Sequence, residues 1–253
     1  MAPSRSPRDR YFPLMRTVVV HSEIEPCPYL PGEQMRLPYR LPVAGLTGAD
    51  FDQLLAEGDR RSGPILYRPS CPTCHACEAI RVPVREFQPT RSQRRAARKN
   101  APDVRVEIAP PIADARIAEI YGVHKRERRL EVQLASPQPT TVEDLQRAMF
   151  TSCVGTALVR YAIGDHLIAF SVLDVGDRAA SSVYHAFDPQ FAWRSLGVFS
   201  VLAEIALCRE LGLDWYYLGL YVERCDRLKY KAEYTPNERL IDGAWTRFDR
   251  AAD

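Results

Sequence analysis

Three cysteines stand in the run "SCPTCHACEA", Cys71, Cys74 and Cys77, each separated from the next by two residues. A Cys-x-x-Cys pair brings two thiolates within reach of one tetrahedral ion, and a third cysteine three residues on can join them. A ferredoxin-type run would place its next cysteine about four residues later, where this chain has Arg81. A distant residue must therefore close the site, and Cys27, held between the rigid prolines of "EPCPYLPG", is the candidate. His75 is not, because a residue between Cys74 and Cys77 usually turns away from their common centre. The set Cys27, Cys71, Cys74 and Cys77 suits structural zinc or a 4Fe-4S cluster, with free or redox-active thiols as the competing reading.

A second group of side chains suits phosphate. Thr90 and Gln93 form a capping box that opens a helix over "TRSQRRAARKN", where Arg91, Arg94, Arg95 and Arg98 recur at spacings of three and four and share a face. With Lys99, residues 91 to 99 carry five cations and no acid, and "HKRERR" from His124 adds another basic group. Such a face fits the backbone of a structured RNA, and a merely solvated surface is the alternative. No helix-turn-helix, zinc-finger or ribonucleoprotein signature is present, so backbone positioning is expected and DNA is not.

The third candidate is the turn "RSLGVF". In acyl-CoA enzymes an Arg/Gln-x-x-Gly-x-Gly/Ala turn opens a long helix and lets backbone N–H groups approach a pyrophosphate. This chain offers Arg194, Ser195 and Gly197 but has Phe199 where a small residue is required. The ring argues against CoA and leaves the helix N-terminus to another anion. An N-cap Ser195 and a packing Gly197 are the structural alternative.

These residues must be positioned by a chain of 253 residues, long enough to bury a substantial core. With 46% hydrophobic and 26% charged residues and a net charge of +2, the composition is that of a soluble domain. The opening "MAPSRSPRDRYFPLM" lacks the apolar core of a leader, and no stretch nears the ~18 apolar residues of a spanning helix, so a cytoplasmic protein without membrane contact is expected. Seven cysteines, an odd number and partly clustered, point to metal or redox chemistry in a reducing compartment more than to disulfides. Cys208, inside "VLAEIALC", reads as a core residue.

The pattern predicts a flexible arm over residues 1–20, a smaller cysteine-containing domain over 21–110 and a C-terminal domain over 111–253. In the first half a helix in "GADFDQLLAEG" and strands near "PILYRP", "AIRVPV" and "VRVEIAP" follow a Pro-punctuated, extended start. Helices are expected over 112–128 and around "TVEDLQRAMF". From Thr156 come hairpin strands, a helix over 195–211, a strand "DWYYLGL", a short helix around "DRLKYKA" and a strand pair around Trp245. The order β-β-β-α-β-α-β is that of the N-acetyltransferase-like (GNAT-like) fold. The expected class is therefore α+β, a mixed sheet with helices preceded by the cysteine-containing domain.

The stretches "CPYLPG", "RRSGPILYRPSCPTCHACEAIRVPV", "RSQRR", "FDPQFAWRSLGVF", "WYYLGLYVE" and "KYKAEYTPNE" run in order from about Pro26 to Leu240. They are similar to those of the arginyl-tRNA-protein transferase family, in its bacterial aspartate/glutamate leucyltransferase branch. The resemblance implies transfer of an amino acid, leucine in that branch, from charged tRNA to the N-terminal amine of proteins beginning with Asp or Glu, which marks them for degradation. It implies no cofactor for the chemistry. The iron-sulfur cluster held by N-terminal cysteines of eukaryotic relatives carries over as an expectation for Cys27, Cys71, Cys74 and Cys77. The chain departs from the family between Tyr121 and Val142 and at Glu233, where a basic residue is usual, and these departures bear on amino-acid and acceptor choice.

The aminoacyl ester is already activated, and an α-amino group with a pKa near ~8 is neutral in roughly a tenth of its population at pH 7. The protein's expected work is alignment and stabilisation of the tetrahedral oxyanion. Candidates are Asp188 in "FDP" to orient the amine or relay its proton, and Ser195 with the N–H groups near Gly197 as oxyanion donors. Lys231 would hold the acidic side chain or the tRNA end, and Tyr184, Tyr217 and Tyr230 would shape the pocket for the terminal adenosine. Arg81 is a further carboxylate binder and Arg194 part of the anion turn. A capping role for Asp188 and a structural ion pair for Arg81 are the alternatives. Two other functions compete: an acyl-CoA N-acyltransferase, which Phe199 opposes, and a non-catalytic RNA-binding metal protein.

Overall fold

The computed structural model describes residues 17–127 and 141–250. The first half holds β1 (Thr17–His21), β2 (Ile24–Pro26), β3 (Gln34–Arg36), β4 (Tyr39–Pro42), β5 (Arg60–Ser62), β6 (Ile65–Tyr67), β7 (Glu78–Pro83) and β8 (Val104–Ala109). The second holds β9 (Thr156–Ile163), β10 (His166–Val175), β11 (Ala179–Phe187), β12 (Trp215–Tyr221), β13 (Asn237–Ile241) and β14 (Ala244–Phe248). The helices are α1 (Gly48–Ala56), α2 (Arg91–Asn100), α3 (Ala115–Glu127), α4 (Val142–Leu145), α5 (Leu196–Glu210) and α6 (Asp226–Lys229). Thr47 with Asp50 and Thr90 with Gln93 form the capping boxes that start α1 and α2, satisfying donors that the first turn leaves orphaned.

Among the described residues the main sheet has eight strands in the order β14-β13-β7-β12-β11-β10-β9-β8. Every pairing in it is antiparallel except β11 with β12. This is a mixed α+β architecture. β7 lies in the middle of the sheet and β8 at its edge, so the sheet does not divide at residue 110, and the expected boundary between two domains falls inside one layer. Pairing partners such as Arg81 with Tyr217 and Glu238 are too distant in sequence for local pattern to reveal this. The expected arm is also shorter: Thr17–His21 is already a strand, because β-branched Thr17, Val18 and Val19 pair along β4. Residues 1–16 of that arm, Arg128 and Arg129 of the basic "HKRERR" and much of the divergent segment that follows lie outside the described residues.

Helices cover both faces of the sheet, which is why β10 is buried from Leu167 to Asp174. On one face α5 lies against Ile80, Val82, Val159, Tyr161, Ile168 and Tyr216, and α2 packs on α5. On the other, α3 and α4 close over Leu158, Phe170, Val172 and Ala186. Each fully buried residue of this size contributes about 1.5–3 kcal/mol. Cys208 is fully buried in the first of these cores, as expected. The small sheets β1-β4-β6-β5 and β2-β3 sit beside the end of the main sheet, where α1 packs Phe51, Leu54 and Leu55 against Ala179 and Tyr217.

Candidate active site

The one parallel pair of the sheet is short. β11 and β12 match only at Ala179–Trp215, Ala180–Tyr216 and Ser181–Tyr217. Beyond that point β11 continues along β10 and β12 along β7, and a bulge in each of those outer pairings turns the two strands apart. The fork between them opens into a cleft of about 560 Å³ lined by Ser182 to His185, Leu218, residues 195–198, Tyr230, Lys231 and Tyr234. Its basic lining residues are Arg60, Arg227, Lys231, His124 and His185, and no Asp or Glu is among the lining residues. A second hollow of about 620 Å³, walled by Ser92, Arg95 and Lys99 of the basic helix, shares Ser195, Val198, Tyr230 and Tyr234 with the cleft. The basic face of α2 therefore leads into the fork.

Ser195 links a short 3-10 turn, Pro189–Arg194, to α5 with φ 57° and ψ 44°. This left-handed conformation costs a non-glycine residue roughly 1 kcal/mol or more. Its carbonyl accepts the N–H groups of Val198 and Phe199, both at 3.0 Å, while its hydroxyl makes no capping bond. Ser195 is thus the N-cap residue by position only, and the N–H groups of Leu196 and Gly197 head the helix toward the cleft. A Cβ built on Gly197 meets nothing within 4 Å, so this glycine is not held by packing. Phe199, which breaks the CoA pattern, points the other way and packs edge-on against Tyr161 at 6.0 Å.

Lys231 extends from the turn after α6 and donates to Leu220 O at 2.9 Å. Burial, and then the neighbouring Arg60 guanidinium, lower it to about 7. Tyr29 is pushed up to about 12 by burial first and the nearby Tyr67 next, with Arg60 opposing. Tyr230 is 41% exposed at the junction of the two hollows, and Tyr184 lies against Tyr121 at 5.3 Å.

The other expected residues are not brought to the cleft, because their polar atoms are spent elsewhere. Asp188 caps its own turn by accepting Gln190 N–H at 3.1 Å and pairs with Arg116 at 2.6 Å. Arg194 forks onto Asp103 at 2.9 and 2.6 Å and lies 4.5 Å from the ring of Trp193, fastening the start of α5 to the end of α2. Arg81 is clamped between the rings of Trp215 (3.7 Å) and Trp245 (4.0 Å) and donates to Glu238 at 2.9 and 2.6 Å and to the Tyr217 hydroxyl at 3.1 Å. Alternation along β12 turns Tyr217 to the face opposite Tyr216 and Leu218, so Arg81 and Tyr217 form a structural cluster. On α2, Gln93, Ala96 and Asn100 face inward, while Arg91, Arg94, Arg95, Arg98 and Lys99 are outward. Lys99 donates to Trp193 O at 2.7 Å.

Sequence reasoning missed Arg60 and a buried polar chain behind the cleft. Glu204, 1% exposed on α5, accepts from Tyr216 at 2.6 Å and Tyr161 at 3.2 Å, and burial raises its carboxyl above the usual range. Ser171 bridges Tyr161 (3.4 Å) to Nδ1 of His185 (3.0 Å), a cleft residue. The available signal was one acid inside the apolar run "VLAEIALC".

Cys27, Cys71, Cys74 and Cys77 line one hollow of about 50 Å³. Burial, then Cys71, Cys27 and Cys74, push the Cys77 thiol up to about 12. The donor types suit a thiophilic metal, yet among the described residues no three His, Cys, Asp or Glu side chains are arranged to hold an ion. The four cysteines expected as ligands are gathered around this one hollow.

Residues 25–95 and 118–241 match, respectively, the N- and C-terminal regions of the arginine-tRNA-protein transferases. The aspartate/glutamate leucyltransferase of Rhodopseudomonas palustris (strain BisA53) is 35% identical over 233 residues, covering 88% of both chains. That of Aeromonas hydrophila subsp. hydrophila is 34% identical over 226 residues (88% of this chain, 92% of the relative), and that of Pseudoalteromonas atlantica 33% identical (88% and 94%). Among solved structures, FemX aligns at a TM-score of 0.43 with 10% identity over 81% of this chain and 79% of its own, too distant to inform the site. Two family regions in the expected order, and relatives aligned almost from end to end, establish that this chain belongs to the arginine-tRNA-protein transferase family, alongside the aspartate/glutamate leucyltransferases.

Proposed function

We propose that the protein is an aminoacyltransferase that moves leucine from charged tRNA to the N-terminal amine of proteins beginning with Asp or Glu, as the names of its relatives describe. The observation that carries the reading is the near full-length match to those relatives, and the acid-free cationic cleft is consistent with it. The splayed parallel pair at the mouth of α5 is read as the N-acetyltransferase-like arrangement, with Phe199 turned into the core and the helix N-terminus left to an acyl ester. Charged tRNA places the reaction in the cytoplasm. Among the described residues no helix is long and apolar enough to cross a membrane.

In this reading the exposed arginines of α2 hold acceptor-stem phosphates, and the aminoacylated 3′ end passes Tyr230 into the fork. The acceptor's neutral amine attacks the ester carbonyl, forming a C–N bond and a tetrahedral oxyanion. The N–H groups of Leu196 and Gly197 and the uncommitted Ser195 hydroxyl face this charge, and one well-placed donor contributes ~3 kcal/mol. The intermediate collapses by breaking the C–O bond to the terminal ribose. The amine's proton passes to neutral Lys231, whose value of about 7 lets it take up that proton near neutral pH and give it to the departing ribose oxygen. Tyr184 walls the pocket. The cysteine hollow is assigned no step.

The test is transfer of radiolabelled leucine from charged tRNA to peptides beginning with Asp, Glu, Arg or Ala. Label on the Asp and Glu peptides alone supports the reading. A folded, tRNA-binding protein that labels none of them sinks it and favours a non-catalytic RNA-binding role.

A further inference from the structure

We propose that Arg60 reads the acceptor: its guanidinium, at the throat of the fork, receives the side-chain carboxylate of the acceptor's first residue. This rests on the transferase reading above and adds the residue that sets its acceptor specificity. β5 is three residues long, and its alternation sends the two adjacent arginines to opposite sides. Arg61 turns inward and is consumed by Asp174, with bonds of 2.7 Å from both Nε and Nη2. Arg60 turns into the cleft.

There it is fixed at the branching point. Its Nη2 donates at 3.1 Å to the carbonyl of Ser182, the first residue of β11 beyond the last partner on β12. Its guanidinium lies across Gly219 of β12, where a Cβ would come within 2.8 Å of Cζ. Gly219 also has φ 95°, so the position both requires glycine and makes room for the arginine. Arg40, Arg61, Arg68, Arg81 and Arg194 each have a carboxylate within 4 Å. Among the described residues Arg60 has none, and its one hydrogen bond is to a carbonyl. A partly buried guanidinium that has spent one donor keeps a planar fork matched to a carboxylate. Its cationic neighbour in the cleft, Arg227, repels a cationic first residue.

A tRNA phosphate is the other anion that could reach Arg60, and the placement disfavours it. The exposed Arg95 and Lys99, suited to phosphates, line the adjoining hollow, whereas Arg60 lies inside the fork beside Tyr29 and Lys231. A phosphodiester needs room for two flanking riboses, and a carboxylate ends its chain.

The experiment compares the natural protein with Arg60→Gln and Arg60→Lys, using leucyl-tRNA and peptides differing only in a first residue of Asp, Asn, Glu or Gln. The natural protein is expected to favour each acid over its amide by on the order of 10- to 100-fold in kcat/KM. Arg60→Gln should bring that ratio to about 1 through the acceptor KM, leaving the KM for leucyl-tRNA within twofold. Arg60→Lys should keep a reduced ratio, and it supplies the readout if Arg60→Gln does not fold. An Arg60→Gln protein that retains the full acid-to-amide ratio overturns the proposal. So does one whose loss falls on the KM for leucyl-tRNA, which would assign Arg60 to a phosphate, or an Arg60→Lys protein that discriminates as well as the natural one when Arg60→Gln is unfolded. If the natural protein labels no peptide, the transferase reading fails and the proposal falls with it, an outcome distinct from unchanged discrimination.

Discussion

Replacing Arg61 by methionine should cost far more stability than any change at its neighbour Arg60. The Arg61 side chain is 0% exposed and Asp174 1%. The guanidinium also donates to Gly63 O at 3.0 Å and Met149 O at 3.1 Å, so it ties β5, the following turn and the end of the π-helical turn Gln146–Phe150 to β10. In Arg61→Met the Asp174 carboxylate stays buried with the Thr156 hydroxyl, at 2.7 Å, as its remaining side-chain donor among the described residues, and two carbonyls lose a partner. Stranding one member of a buried ion pair costs about 3–5 kcal/mol. At roughly 2–4 °C per kcal/mol for a chain of this size, the thermal midpoint should fall by about 6–20 °C. Asp174→Leu should cost about as much by stranding the arginine. The double variant Arg61→Met/Asp174→Leu should recover most of the loss, since apolar residues of similar volume often replace such pairs at little cost. Urea denaturation of the four proteins at pH 7 closes the cycle, with unchanged slopes required for comparison. A loss below about 1 kcal/mol in Arg61→Met, or a double variant no better than the worse single one, would refute the argument that this pair is dry and coupled.

Three further outcomes are expected. Lys231 sits below its ordinary value near 10.5, at about 7, so between those two values the unfolded chain binds more protons and stability rises with pH; below about 7 the full penalty of burying the ammonium applies. Lys231→Met should therefore stabilise the protein most below pH 7, with the gain shrinking by at most about 1.4 kcal/mol per pH unit above it, measured as urea midpoints from pH 6 to 9. Gly197→Ala should leave the urea midpoint unchanged within about 0.5 kcal/mol, because its Cβ meets nothing, yet slow single-turnover transfer on the order of 10-fold by crowding the helix mouth. Arg91→Ala combined with Arg95→Ala should weaken charged-tRNA binding and reduce the slope of log K against log salt by about 1 to 2, read by filter binding across salt concentrations.

The long elements were legible because their signals are local. Thr90 and Gln93 announce α2, and the largely apolar run before Cys208 announces α5. The residues that share a short segment with the cleft, Ser195 with Gly197 and Tyr230 with Lys231, could be named together for the same reason. What the sequence could not show is pairing at a distance. Arg81 looked available until Trp215, Trp245 and Glu238, each more than 130 positions away, closed around it. Asp188 looked reactive in isolation, and its partner Arg116 lies on another layer. Arg60 and Arg61 are the same residue type side by side, and only the register of a three-residue strand decides which one meets solvent and which meets Asp174.

The fork leaves two rows of backbone donors and acceptors facing each other inside a folded sheet, beyond Ser181 on β11 and Tyr217 on β12. Unpaired strand edges are templates on which a stray extended segment can add itself, and inward-pointing charges are one of the devices that prevent it. Arg60 and Lys231 stand in that gap. Neutralising both would remove the electrostatic guard from an internal edge as well as the cations of the cleft, so the charge that prepares the fork for a substrate also protects the chain from self-association by strand addition.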